Sequence, residues 1–326
     1  MPRLSALPAL AALLAIAALA FALALSMGSV AIDPASVLRA LFASGDETQR
    51  AIVRELRLPR SVAAFATGGC LALAGALLQV LLRNALADPY VLGVSGGAAV
   101  GALSMILAGS TGLLVSMGAF GGAFVSTVLV FALARAAGPW SAMRVLLTGV
   151  VLAAGWGALV ALILSLAPEA QLRGMLFWLI GDLSAPTVAW STLGALAIAL
   201  VAVLPFARDL NALARGEAVA AAVGVDVARL PWLLFALSAL LTAAAVTTAG
   251  AIGFVGLIVP HAVRLVAGND QRVLLPAASL AGGALLLLAD TLARQIVAPA
   301  QLPAGVITAL VGVPVFLLLL QRERRA

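Results

Sequence analysis

Apolar runs recur from one end of this chain to the other, each closed by an arginine, an acid, a proline or a glycine. Roughly 18 or more apolar residues, rising about 1.5 Å each, are enough to carry a helix across the hydrocarbon core of a bilayer. Ten such segments are predicted, at 6–28, 61–81, 91–109, 112–134, 144–166, 188–207, 231–249, 251–267, 275–297 and 303–320. None alternates with the two-residue period of a transmembrane β-strand, so the expected class is an all-α, polytopic membrane protein. The longest polar interruptions, 29–60, 167–187 and 208–230, leave no room for a soluble domain, and residues 1–326 read as one transmembrane domain. The first run exceeds the usual signal-peptide core of about 7–15 residues and more segments follow it, so it reads as a retained span. MLFWLIG (175–181) is too short to cross and reads as a surface or re-entrant helix before Asp182, with Trp178 and Trp190 at interfacial positions.

Composition sharpens this picture. The chain is 64% hydrophobic and only 10% charged, too little charge to cover a water-soluble surface. All 19 cations are arginine, set against 13 acids for a net charge of +6. With ten crossings and both termini cytoplasmic, most arginines, including Arg322, Arg324 and Arg325, fall on the inner side. The basic excess therefore reflects orientation in the membrane rather than nucleic-acid binding. VRELRLPR (53–60) is the exception, because its Arg54, Arg57 and Arg60 face outward against that bias.

Missing residue types exclude several functions. Without lysine there is no G-x-x-x-x-G-K-[ST] phosphate loop, so ATP hydrolysis would need another chain. A single histidine, His261, and a single cysteine, Cys70, cannot build a Cys/His metal site, and no carboxylate cluster replaces one. No nucleophile–base arrangement is visible, so no catalytic residue, cofactor or metal is expected. Cys70 reads as a buried spectator and His261 as structural. Asp290 is the clearest ionisable group within a span, and Arg294, four residues on, shares its helix face. That pair is either neutralising or functional. An unpaired membrane acid of the kind a proton-coupled carrier uses is absent, which disfavours a secondary transporter without removing it as the alternative.

Four stretches together carry a family resemblance: RLPR (57–60) with RNALADP (83–89), YVLGVSGGAAVGA (90–102), GFVGLIVPHAVRL (253–265), and ADTLAR (289–294) with QLPAGVITALVGVPVFLLLL (301–320). Their order and spacing resemble the FecCD-type permeases, the membrane subunits of ATP-binding-cassette importers for ferric siderophores, haem and cobalamin. The resemblance implies ten helices per subunit, a homodimer in the bacterial inner membrane, two cytoplasmic ATPase subunits below and a periplasmic substrate-binding protein above. It implies that Arg57, Arg60 and Arg294 receive carboxylates of the binding protein. Bidentate contact with a carboxylate is what planar guanidinium groups favour. Arg54 is left as a bystander.

The loop 208–230 reads as a short helix at about 212–222, ended by glycine, and resembles the coupling helix that engages the ATPase. Glu217, Ala218 and Gly224 match that pattern. Asn84 and Leu86 match positions of the inner gate, with Ser141 in 135–144 facing them. Ala85 departs from the family, which has proline there, and leaves this loop less constrained.

Overall fold

The computed structural model describes residues 6–28, 30–42, 44, 46–138, 140–184, 186–298 and 300–323, and among these every regular element is helical. Arg324 and Arg325, placed above on the inner side, lie outside the described residues. The helices are α1 (Ala6–Ser26), α2 (Pro34–Leu41), α3 (Glu47–Ala51), α4 (Leu58–Leu81), α5 (Val94–Leu107), α6 (Leu113–Ala136), α7 (Ala142–Leu166) and α8 (Glu169–Ile180). They continue with α9 (Ala189–Val203), α10 (Ala207–Leu213), α11 (Glu217–Ala222), α12 (Leu230–Ala249), α13 (Val255–Ala267), α14 (Gln271–Gln295) and α15 (Ala304–Glu323). Alanine- and leucine-rich runs suit this outcome, since a helix satisfies every backbone group internally where lipid offers no partner.

Among the described residues, 7 helices are long and apolar enough to cross a membrane, and shorter apolar helices occupy Val94–Leu107, Val255–Ala267 and Ala304–Leu319. These fall on the ten expected segments, but not always with the expected ends. The segment expected to open at 61 is the interior of a continuous helix, Glu47–Leu81. Pro59 does not break it because residues Ile52–Arg57 form a π-helical turn, in which the Leu58 N–H donates to the Val53 carbonyl. The wider turn absorbs the proline's missing donor. The sixth segment also overruns, passing through a 3₁₀ turn at Leu204–Phe206 into α10. MLFWLI closes the 12-residue helix α8, and Gly181 is its C-cap.

α4 is the axis of the bundle, almost wholly enclosed by α9, α12, α13 and α14. Glycine makes the closest approaches possible. A Cβ on Gly75 would lie 1.9 Å from the Gly256 carbonyl oxygen of α13. One on Gly68 would lie 2.2 Å from that of Gly282 in α14. Gly118 and Gly122 of α6 meet Gly101 and Gly97 of α5 in the same way, so this small-residue spacing serves tight packing. Cys70 is sealed inside α4 with its Sγ 3.8 Å from the Thr192 carbonyl oxygen, and His261 is buried in α13. By contrast α7 is nearly bare, presenting Met143, Leu147, Val150, Val151, Leu159 and Leu162 outward.

Candidate functional site

Two polar regions lie at opposite ends of α4 and α14. The first gathers around the start of α4. The π-helical turn aims Arg57 at the end of α1, where Nη1 donates to the carbonyls of Leu25 (2.7 Å) and Ser26 (2.9 Å) and Nη2 to that of Val30. The α1 carbonyls are among those a helix end leaves without intrahelical donors. Arg60, one turn further, grips Asp290 of α14 with its fork: Nε lies 3.1 Å from both carboxylate oxygens and Nη2 lies 2.8 Å from Oδ1. Its Nη1 donates to Gln301 Oε1 at 2.6 Å.

Arg294 completes the cluster. Its Nε lies 3.2 Å from Asp290 Oδ2, and its Nη2 donates to Thr291 Oγ1 at 3.2 Å. Longer contacts of 3.4 Å reach the Ala24 carbonyl of α1 and that of Met27 just past its end. The i,i+4 pair read from the sequence is therefore present, but Asp290 is shared and its closer partner is Arg60. All three arginines border one cavity of about 520 Å³, together with Glu55, Ser184, Thr187 and Gln301. Arg57 and Arg60 are only 6% and 8% exposed, and Asp290 is fully buried. Of the three arginines in VRELRLPR, Arg54 alone is exposed. Three guanidinium groups against the buried Asp290 and the exposed Glu55 leave a positive surplus of one at the cavity, suited to a carboxylate or another anion.

The second region lies past the end of α4. Arg83 adopts a left-handed conformation, and its guanidinium reaches Glu217 of α11 at 3.8 Å. Asn84 Oδ1 accepts from the Leu86 N–H at 2.9 Å, holding the loop turned with Leu86 exposed. Asp88 caps the following 3₁₀ turn by accepting from the Tyr90 N–H at 2.8 Å, and burial pushes its carboxyl above the usual range. Ser141 is engaged elsewhere: it is the N-cap of α7, with its Oγ 3.5 Å from the Arg144 nitrogen.

The single helix expected at about 212–222 is two. α10 ends at Leu213, Gly216 turns the chain at φ +122°, and α11 spans Glu217–Ala222 before Gly224 at φ +85° ends it. Both conformations lie where a Cβ is strained, so glycine suits each turn. Glu217 stands in the first turn of α11, and Ala218 is exposed beside it. Asn211 of α10 bonds to the start of α14. Its Nδ2 donates to Asp270 Oδ1 and its Oδ1 accepts from the Gln271 N–H, both at 2.9 Å. The Asn211 bond, with the Arg272 N–H, holds the Asp270 carboxyl below its usual range. Sequence reasoning missed Asp270, Gln301 and Asn211, since polar residues in connectors have no periodicity to mark them. No cluster of metal-ligating side chains occurs among the described residues.

Known proteins resemble this chain closely. The cobalamin import system permease of Halobacterium salinarum is 44% identical over 286 residues, covering 86% of this chain and 76% of that protein. The hemin transport system permease of Yersinia pestis is 42% identical over 282 residues, covering 82% of this chain and 83% of that one. A solved inward-facing conformation of a metal-chelate type ABC transporter aligns with a TM-score of 0.84 at 30% identity, covering 97% of this chain and 99% of its own. These relatives are transporter components rather than enzymes, and with a family model matching residues 14–322 the chain belongs to the FecCD transport family.

Proposed function

We propose that the chain is the permease subunit of an ATP-binding-cassette importer that moves a metal chelate (ferric siderophore, cobalamin or haem) from periplasm to cytoplasm. In this reading it crosses a bacterial inner membrane ten times with both termini inside and pairs with a second copy. Two ATPase subunits engage α10–α11 at Glu217, Ala218 and Gly224. Asn84, Leu86 and Ser141 border the inner gate, and a binding protein docks over Arg57, Arg60 and Arg294. The observation that carries the reading is similarity to cobalamin and hemin permeases over 86% and 82% of the chain, joined to a polar site at each end of one bundle. Asp290 supports it against a proton-coupled carrier, because two arginines already hold that carboxylate.

Reconstituted in proteoliposomes with its ATPase and binding protein, the chain is expected to support chelate uptake that vanadate abolishes. Uptake indifferent to vanadate but abolished by an uncoupler would replace the importer with a secondary transporter. Docking has its own readout. Arg294→Gln is expected to raise the Kd of the binding protein for the assembled importer about tenfold at low salt and to flatten its salt dependence. An unchanged salt slope would remove Arg294 from the docking surface.

A further inference from the structure

The Asn211 side chain does two things at once, and both join separate parts of the fold. Its Oδ1 accepts the N–H of Gln271, the first residue of α14, which has no acceptor within its own helix. Its Nδ2 donates to Asp270, the N-cap residue of the same helix, whose carboxylate also accepts from the Arg272 N–H. A side chain 60 residues earlier thus completes the cap of α14. Apolar packing runs alongside, with Leu210 and Leu213 of α10 and Leu274 and Leu275 of α14 all buried where the two helices meet. Gln271 itself is 2% exposed, while Asn211 and Asp270 border a cavity of about 570 Å³.

The other contacts of this region explain why the joint matters. α11, separated from α10 only by the Gly216 turn, is tied to the end of α4 by the Arg83–Glu217 contact between partly exposed groups. Such a contact is weak. The Asn211 bonds are shorter, and one acceptor is charged, so they are the firmer of the two attachments. α14 then runs on for 25 residues to the Asp290 and Arg294 cluster, about 30 Å from its first turn. One helix therefore has the α10–α11 element fastened to its start and the arginine cavity at its end.

We propose that Asn211 is a positioning residue for energy coupling: it makes α10–α11 and α14 move together, so that force from the ATPase reaches the translocating helices. This rests on the importer reading given above. Its chemistry predicts an unusual rescue. Asn211→Asp alone sets two carboxylates against each other, whereas Asn211→Asp with Asp270→Asn exchanges donor and acceptor and restores both bonds between α10 and the start of α14, leaving only the exposed Arg272 N–H to turn to water.

The test uses the full importer in proteoliposomes, measuring assembly, basal ATPase rate and vanadate-sensitive uptake together. Asn211→Ala and Asn211→Asp are expected to assemble and to hydrolyse ATP at near the wild-type rate while uptake falls about tenfold. The exchanged pair is expected to recover most of that loss. Uptake within about twofold of wild type in Asn211→Ala would overturn the proposal. Uptake and hydrolysis falling in proportion, with no recovery in the exchanged pair, would also overturn it and leave Asn211 merely structural. A wild-type complex without vanadate-sensitive uptake would overturn the importer reading and the joint with it.

Discussion

Asp290→Ala is expected to destabilise the protein by about 3–5 kcal/mol, the usual cost of removing one partner from a buried ion pair. Most of that loss comes from what remains: Arg60 keeps only its bond to Gln301, and Arg294 keeps only its hydroxyl and long carbonyl contacts. Both guanidinium groups would stay largely enclosed with no counter-charge. Thermal unfolding of the detergent-purified chain measures the effect. Asp290→Ala combined with Arg60→Met should unfold later than Asp290→Ala alone, because one of the two stranded charges is gone and the methionine fills similar space. Equal midpoints for wild type and Asp290→Ala would show that the carboxylate is not what holds the cluster.

Gly75→Ala carries the second large expectation. The added methyl would stand 1.9 Å from the Gly256 carbonyl oxygen, which is helix backbone that cannot rotate away. α4 and α13 must separate, and overpacking of this kind costs about 1–3 kcal/mol, occasionally more. The separation falls on the axis of the bundle, so the upper end of that range is expected. Gly121→Ala is the control, since nothing lies within 4 Å of the Cβ it would add. There the better helix propensity of alanine should leave stability unchanged or raise it by up to about 1 kcal/mol. A Gly75→Ala protein that melts with the Gly121→Ala control would remove the close helix approach as a determinant of stability.

The helices were legible because membrane solvent makes length and apolarity decisive, and the seven long helices follow from apolar runs alone. Element ends were less so. RLPR looks like a helix boundary, yet the π-helical turn at Ile52–Arg57 takes the helix straight through Pro59. α10 and α11 looked like one helix because Gly216 sits among good helix formers, and only its φ of +122° reveals the turn. The site divides in the same way. Arg57, Arg60 and Arg294 could be picked out by motif, but not their burial or their shared carboxylate. That depends on Asp290 meeting Arg60 across 230 positions, which the close contact of Gly68 with Gly282 makes possible. The Asp290–Arg294 pair was readable because four residues of helix set it locally.

The enclosure of Cys70 has a practical consequence. Its sulfur lies at the axis of the bundle with no exposed surface, so thiol reagents from either side of a membrane meet no reactive group on the native chain. A cysteine introduced outside the expected spans, at exposed Arg54 for example, would be the only accessible thiol. The unmodified sequence is thus already a silent background for spin labels, fluorophores and cross-linkers, and Cys70 labelling itself would signal that the core has opened.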